Sequence, residues 1–310
     1  DQYRAIAPYL EYFGENRIVA GVYDGDTPVA ERTRIRQSAN IILTNPEMVN
    51  GAFLPNHSKY GFDFIFSNLK YIVIDELHTY RGAFGSHLAN VFRRLSRVCR
   101  YYHSNPQFLC SSATIANPVE LATEICGKQF TLVDKDGSPA AECGYYLIQP
   151  PKIMGKDNNY YGQVRITTVA AELLPELMDE GKNFIAFTKS RKNVEIVLKE
   201  TRDHLEAEGF LGTHKPDEIS GYRGGYTPLE RKQIENQMIS GELMGLVSTN
   251  ALELGIDIGK ISTTVLVGYP GTRASFWQQT GRAGRSGKRS SNYLILDNQP
   301  FDQYIALEPG

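Results

Sequence analysis

The chain carries the apolar run Thr264–Pro270 (TVLVGYP) and, shortly after it, the glycine-interrupted segment Gln278–Arg285 (QQTGRAGR). Arg282 and Arg285 stand three residues apart in that segment, on a backbone that glycine allows to approach a ligand closely. Their planar guanidinium groups can reach phosphate oxygens from such a position. A surface loop with two solvated arginines is the alternative for this segment taken alone.

A second stretch, Lys70–Ile74 (KYIVI), has a strand-like composition and ends in the acidic box Asp75–His78 (DELH). Paired carboxylates at this position suit Mg²⁺ binding and the activation of water. The strand-like Phe108–Cys110 then leads into Ser111–Thr114 (SSAT), whose small hydroxylated residues can hydrogen-bond the acidic box. An ordinary Ser/Thr turn is the alternative for that motif. The acidic box and the two arginines together indicate phosphoryl-transfer chemistry.

Two segments about 200 residues apart repeat one pattern. One begins at Tyr23–Pro28 (YDGDTP) and the other at Tyr222–Pro228 (YRGGYTP), and each continues through a Glu-Arg pair to an apolar strand that ends in Thr-Asn. In both copies we expect the threonine before proline to cap a helix. The strand ends Thr44-Asn45 and Thr249-Asn250 can bind phosphates at helix N-termini, and helix capping alone is the alternative.

The alternation of strands and helices, with this duplication, predicts two doubly wound α/β domains with parallel sheets. A Gly- and Pro-containing polar stretch between Phe130 and Gln163 indicates the boundary, and we place the domains at residues 1–140 and 141–310. Ligands bind at the carboxyl ends of parallel strands. Thr188 and Arg191, which follow the strand-like Asn183–Phe187, therefore fit a nucleic-acid contact in the second domain.

The charge balance, the cysteines and the apolar runs of the sequence limit the classes of protein to which the chain can belong. Lys and Arg number 33 against 35 acidic residues, so a nucleic-acid surface must be local. The four cysteines show no zinc-like spacing, which predicts buried thiols in a reducing compartment. Without an apolar run of about 18 residues or a signal-like N-terminus, we expect a cytoplasmic protein with no membrane partner.

Two features are expected to be structural. The segment His87–Leu95 has helical spacing of its apolar residues, and a solvated helix face is favoured over a nucleic-acid contact for its basic residues Arg93, Arg94, Arg97 and Arg100. Trp277, the single tryptophan, is expected to be buried, with base stacking as the alternative.

The acidic box Asp75–His78 resembles the D-E-x-H box of superfamily 2 helicases. Ser112, Ala113 and Thr114 resemble their coupling motif, and Gln278–Arg285 resembles their last motif. The resemblance spans nearly the whole chain. It implies two RecA-like domains that bind ATP in the cleft between them and single-stranded nucleic acid across their tops.

Residue roles follow from the resemblance. It implies that Asp75 orients Mg²⁺ through water and that Glu76, in the same box as His78, activates the attacking water. Arg282 and Arg285 are implied to neutralise the developing phosphoryl charge. The residues implied to approach the nucleotide are Gly255, Asp257 and Gln278. The residues implied to bind the strand are Thr44, Asn45, Thr188, Arg191, Arg223, Thr249 and Asn250.

Longer strings resemble one branch of the superfamily. Tyr23–Pro28, Ser111–Pro118 (SSATIANP) and Ser248–Ile258 (STNALELGIDI) are similar to segments of the bacterial mitomycin-repair helicase family (MrfA- and YprA-like) and of its RecQ4-like relatives. The resemblance implies a DNA helicase that moves 3′ to 5′ in DNA repair. An RNA helicase of the same superfamily and a non-catalytic nucleic-acid-binding module are the alternatives.

The phosphate-binding loop G-x-x-x-x-G-K-[ST], which holds nucleotide phosphates, does not occur in the sequence. In helicases of this type that loop lies upstream of the first segment seen here, and the first residue is Asp rather than Met. We therefore expect a fragment with an N-terminally truncated first domain. We expect it to be inactive alone and to need the remainder of the parent chain for its phosphate loop and C-terminal domain.

Overall fold

The computed structural model describes residues 2–14, 17–113, 115–135, 137, 141–154, 160–208, 214–252, 258–284 and 287–308. The chain divides into two compact units, Asp1–Lys135 and Asp136–Gly310. The predicted boundary lay between residues 140 and 141.

The first unit alternates helices and short strands. Its elements are α1 (Gln2–Phe13), β1 (Ala20–Tyr23), α2 (Val29–Ser38), β2 (Ile41–Thr44), α3 (Pro46–Met48), α4 (Phe62–Asn68), β3 (Tyr71–Ile74), α5 (Gly82–Tyr101), β4 (Gln107–Cys110) and α6 (Pro118–Cys126). A π-helical turn, Val49–Phe53, follows α3, and a 3₁₀ turn, Leu77–Thr79, follows β3. The described strands form two parallel pairs, β1 with β2 and β3 with β4.

Packing in the first unit follows from the apolar face of α5. Its buried residues include Leu88, Phe92 and Leu95, which recur with helical period and join the core formed with α4, β3, β4 and α6. The period-2 alternation of β3 turns Ile74 into this core, whereas Val73 is 69% exposed.

In the described part of the second unit, six strands form one sheet and two more form a separate antiparallel pair. Its elements are β5 (Cys143–Ile148), β6 (Lys152–Met154), β7 (Tyr160–Gln163), α7 (Ile166–Asp179), β8 (Phe184–Thr188), α8 (Arg191–Glu208), β9 (Ile219–Tyr222), α9 (Pro228–Ser240), β10 (Gly245–Ser248), β11 (Thr263–Val267), α10 (Arg273–Thr280), β12 (Ser290–Ile295) and α11 (Pro300–Leu307). The sheet order is β5-β12-β11-β8-β10-β9, and every pairing in it is parallel. The antiparallel β6–β7 pair was not predicted.

Both faces of this sheet are covered. Phe184 and Ala186 of β8 pack with residues of α7 and α8, while Ile185 and Phe187 pack in a second core that includes Met238 of α9. Strands that are buried on two faces consist of continuous apolar runs, and for this reason β8 and β11 can be predicted from the sequence. The prediction of tandem RecA-like α/β domains with parallel sheets is confirmed.

The two copies of the repeat differ at their threonines. Thr227 caps α9, because its hydroxyl accepts from the Glu230 N–H at 3.3 Å while Glu230 bonds back to the Thr227 N–H at 2.7 Å. Thr27 does not cap α2. Its hydroxyl instead bonds the Asp24 carboxylate at 2.7 Å, and that bond is the main reason why the pKa of Asp24 lies below its usual value. The predicted cap is correct in the second copy and wrong in the first.

Two burial predictions fail. Trp277 is 46% exposed, with its ring edge-on to Tyr145 at 5.9 Å. Cys99 and Cys126 are buried as expected, but Cys143 is exposed. Among the described residues, no helix combines the length and the apolar composition that a membrane crossing requires.

Candidate functional site

The acidic box begins where β3 ends. Ile74 of β3 lies opposite Cys110 of β4, so the next residues, Asp75 and Ser111, meet at the carboxyl edge of this strand pair. Ser111 Oγ and the Glu76 N–H, at 2.9 Å, both donate to Asp75 Oδ1, and Gln2 Nε2 donates to Oδ2 at 2.5 Å. An exposed carboxylate fixed by such donors fits a cation that keeps most of its water, as Mg²⁺ does.

Glu76 has a left-handed backbone, with φ 53° and ψ 41°, which costs a residue other than glycine about 1–2 kcal/mol. The turn is held because the Glu76 carbonyl accepts from both the N–H of Thr79 at 2.9 Å and its hydroxyl at 2.8 Å. The Glu76 side chain is 44% exposed, so its carboxylate can contact water. Strain that neighbouring contacts maintain is typical of functional sites.

His78 connects the acidic box to the motif after β4. Its Nδ1 accepts the Ala113 backbone N–H at 3.1 Å, and its side chain is only 6% exposed. Burial lowers the pKa of this imidazole, against the opposing effect of Glu76. Because Nδ1 is an acceptor, the 3.5 Å approach of Glu76 Oε2 is a contact with a neutral ring and not an ion pair.

The hydroxyl that bonds the acidic box belongs to Ser111. Ser112, which the sequence favoured together with Ala113, donates its hydroxyl to the Ala113 carbonyl at 2.9 Å. Thr114 lies outside the described residues. The only sequence signal for Ser111 is that it is the first residue after the strand-like Phe108–Cys110, because its position level with Asp75 depends on the register of β3 with β4. Gln2 carries no comparable signal, since it lies 73 residues from its partner.

The strand-end residues of the first unit are already hydrogen-bonded. Thr44 Oγ1 donates to the Tyr23 carbonyl at 2.7 Å, and Asn45 Oδ1 accepts the Met48 N–H at 2.9 Å as the cap of α3. The capping alternative therefore describes Asn45. Thr44 is exposed, but its hydroxyl must rotate away from the Tyr23 carbonyl before it can donate to a phosphate.

In the second unit, the predicted strand-binding residues gather at the carboxyl ends of β8, β10 and β9, which are neighbours in that order. Thr188 is buried, with Oγ1 donating to the Ser190 carbonyl at 3.1 Å. Thr249 Oγ1 accepts the Ala251 N–H at 3.4 Å, and Asn250 is exposed at the start of a 3₁₀ turn.

Two arginines extend this edge. Arg223, which follows β9, pairs with Glu195 at 3.1 Å and lies 5.3 Å from the centre of the Tyr226 ring. Arg191 is exposed at the start of α8. A Cβ built on Gly224 would lie 3.8 Å from Arg191 Nη2, so Arg191 reaches over the loop that carries Arg223.

The segment that contains the predicted arginine pair turns tightly after α10. Arg282 is only 5% exposed, and its backbone N–H donates to the Gln279 carbonyl at 3.2 Å. A Cβ at Gly281 would lie 2.7 Å from the Trp277 carbonyl oxygen, which explains the glycine in this turn. Gln278 is half-buried on α10. Gly255, Asp257 and Arg285 lie outside the described residues.

Comparison with known proteins agrees with this arrangement. Residues 1–122 match the DEAD/DEAH box helicase family, and residues 168–287 match the helicase conserved C-terminal domain. The chain is 47% identical over 287 residues to the uncharacterized ATP-dependent helicase YprA of Bacillus subtilis (strain 168), covering 93% of this chain and 37% of that protein. It is 38% identical over 316 residues to the ATP-dependent helicase HRQ1 of Saccharomyces cerevisiae, covering 100% of this chain and 28% of that one.

A solved structure shows the same fold. The crystal structure of the DUF1998 helicase MrfA bound to DNA and AMPPNP matches with a TM-score of 0.88 and 45% identity, over 100% of this chain and 42% of that one. The chain thus spans less than half the length of each of these relatives. It belongs to the superfamily 2 helicases, in the group of YprA and MrfA.

Proposed function

We propose that the protein carrying this sequence is an ATP-dependent DNA helicase that acts in DNA repair and moves 3′ to 5′ along a single strand. The observation that carries the proposal is the junction of Asp75, Glu76 and His78 with the motif after β4 through Ser111 and Ala113. The names of the relatives support ATP use, and the MrfA complex supports binding of DNA and of an ATP analogue.

The residues of the first unit divide the work. Asp75 would hold Mg²⁺ through water, and the ion would neutralise phosphate charge. Glu76 accepts a proton from the attacking water. His78 accepts the Ala113 N–H at its unprotonated Nδ1. Through this hydrogen bond it transmits a movement of the acidic box to Ala113.

The second unit supplies positive charge and strand contacts. Arg282 and Arg285 neutralise the developing phosphoryl charge, and Gly255, Asp257 and Gln278 lie near the nucleotide. Thr188, Thr249, Arg191 and Arg223 bind the strand through phosphates and sugars, which carry no base code. We also place the protein in the cytoplasm, in keeping with its free cysteines.

The test is ATP hydrolysis by the gene product that contains these residues, measured with single-stranded DNA and with RNA of the same sequence. We expect stronger stimulation by DNA, and unwinding of a duplex with a 3′ tail but not of one with a 5′ tail. Equal stimulation by RNA would indicate an RNA helicase. An absence of any stimulated hydrolysis would contradict the proposal.

A further inference from the structure

The outer face of α5 carries arginines that the proposed reaction does not use. Its inner face is buried from Leu88 to Cys99, which directs the basic side chains outward. Together with a lysine after α6, they border a cavity of about 620 Å³ within the first unit. We call this set the arginine surface: Arg93, Arg94, Arg97, Arg100 and Lys128.

The arginine surface lacks counter-ions. Within the described ranges, none of its five cations forms an ion pair with a carboxylate. Arg93 donates to the Glu124 carbonyl at 3.3 Å and Arg94 to Asn50 Oδ1 at 2.5 Å, both neutral oxygens. The guanidinium groups of Arg97 and Arg100 make no hydrogen bond to a described residue. Unneutralised cations this close together repel one another, and a polyanion relieves that repulsion.

The rest of the lining favours an oxygen-rich ligand. Ser96 Oγ, at the same cavity, is buried and hydrogen-bonds to no described residue, and the Asn90 and Asn105 amides add further donors. Arg93, Arg97 and Arg100 stand in one row, at i, i+4 and i+7, which covers about 10 Å of helix. A row of that length fits successive phosphates better than a single one.

We propose that the arginine surface binds the phosphodiester backbone of DNA at a second site. Asn105 and Pro106 precede β4, so the cavity lies at the amino end of that strand, whereas Asp75 and Ser111 lie at the carboxyl edge. The two ends are separated by roughly 16 Å along the strand. The site rests on the proposed function in that DNA is the shared ligand, but it lies apart from the predicted strand contacts.

The test uses fluorescence anisotropy of a labelled short DNA duplex with the 310-residue chain, without nucleotide, across a salt series. The double variant Arg97→Ala, Arg100→Ala removes two cations that bond no described residue, so folding should be unchanged. Losing two phosphate contacts lowers the slope of log affinity against log salt by about 1.8. Between about 50 and 200 mM salt, the unaltered chain then loses about twelvefold more affinity than the variant.

Two controls accompany this measurement. Arg97→Lys, Arg100→Lys keeps the charges and should keep the slope. Arg34→Ala removes an arginine that is 66% exposed and pairs within α2 with Glu31, and it should also leave the slope unchanged.

Three outcomes would overturn the proposal. An unchanged slope in the double alanine variant refutes the second site and leaves the proposed function intact. If the double alanine variant loses binding to a poly-glutamate peptide while its DNA slope is unchanged, the arginine surface binds an acidic protein instead of DNA. If the unaltered chain does not bind the duplex, this site fails, whereas the single-strand contacts of the proposed function are tested by the hydrolysis assay.

Discussion

Replacing His78 with alanine removes the acceptor of the Ala113 N–H at 3.1 Å and empties a buried position. A half-buried N–H without an acceptor costs about 1–3 kcal/mol, and lost packing adds to this. We expect the free energy of unfolding of the first unit to fall by about 2–4 kcal/mol. His78→Asn is the matched control, because its amide oxygen can replace Nδ1 as the acceptor. His78→Ala should therefore be less stable than His78→Asn by about 1–3 kcal/mol.

The stability of each unit can be measured separately. Trp277 is the single tryptophan and lies in the second unit, so its fluorescence during urea unfolding reports that unit. Hydrogen exchange of α5 amides reports the first unit. His78→Ala should accelerate α5 exchange about 30- to 900-fold and leave the tryptophan transition unchanged. Equal exchange in His78→Ala and His78→Asn would refute the role of the Ala113 hydrogen bond.

The same residue predicts a pH dependence. Burial lowers the pKa of His78 below the usual histidine value of about 6.5, so below that pH the unfolded state binds more protons than the folded state. The stability that the neutral ring contributes is present above pH 6.5 and is lost as the pH falls toward the lower, folded-state pKa, by at most about 1.4 kcal/mol per pH unit. The stability advantage of the unaltered chain over His78→Asn should shrink between about pH 7.5 and 5.5. A constant difference would mean that His78 has the same pKa in the folded and unfolded states.

Three further changes probe the site and the fold. In the complete gene product, Glu76→Gln should abolish ATP hydrolysis but preserve ATP binding, because an amide cannot accept the proton; turnover near that of the unaltered protein would remove Glu76 from its role. Thr44→Ala should weaken binding of all single strands alike by about 1 kcal/mol, while Thr44→Ser should not, and a loss that varied with base sequence would indicate base contacts. Thr227→Ala removes the capping box with Glu230 and should destabilise the second unit by about 1 kcal/mol in tryptophan-detected unfolding, so an unchanged midpoint would contradict the cap.

The sequence by itself determined the fold class and the positions of the strand ends. Strand β8 is buried at all five residues, and such strands appear in the sequence as unbroken apolar runs because both faces are covered. The helix around His87–Leu95 was legible for a similar reason, since its burial follows a single face. The cap at Thr227 was predictable because its partner Glu230 lies three residues away. These features depend on short sequence separations or on periodicity.

The tertiary structure alone decided which side chains meet. Whether Ser111 or Ser112 bonds Asp75 depends on the register of β3 with β4. That register cannot be deduced from the residues of either strand alone. The same sequence pattern capped α9 but not α2, because the hydroxyl of Thr27 accepts the Asp24 backbone N–H at 3.0 Å instead of an N–H of the helix. The neutral state of His78 likewise follows from burial and from an N–H donor 35 residues away. Local pattern fixes which face a residue occupies, whereas its hydrogen-bond partner and its burial depend on elements that are distant in the chain.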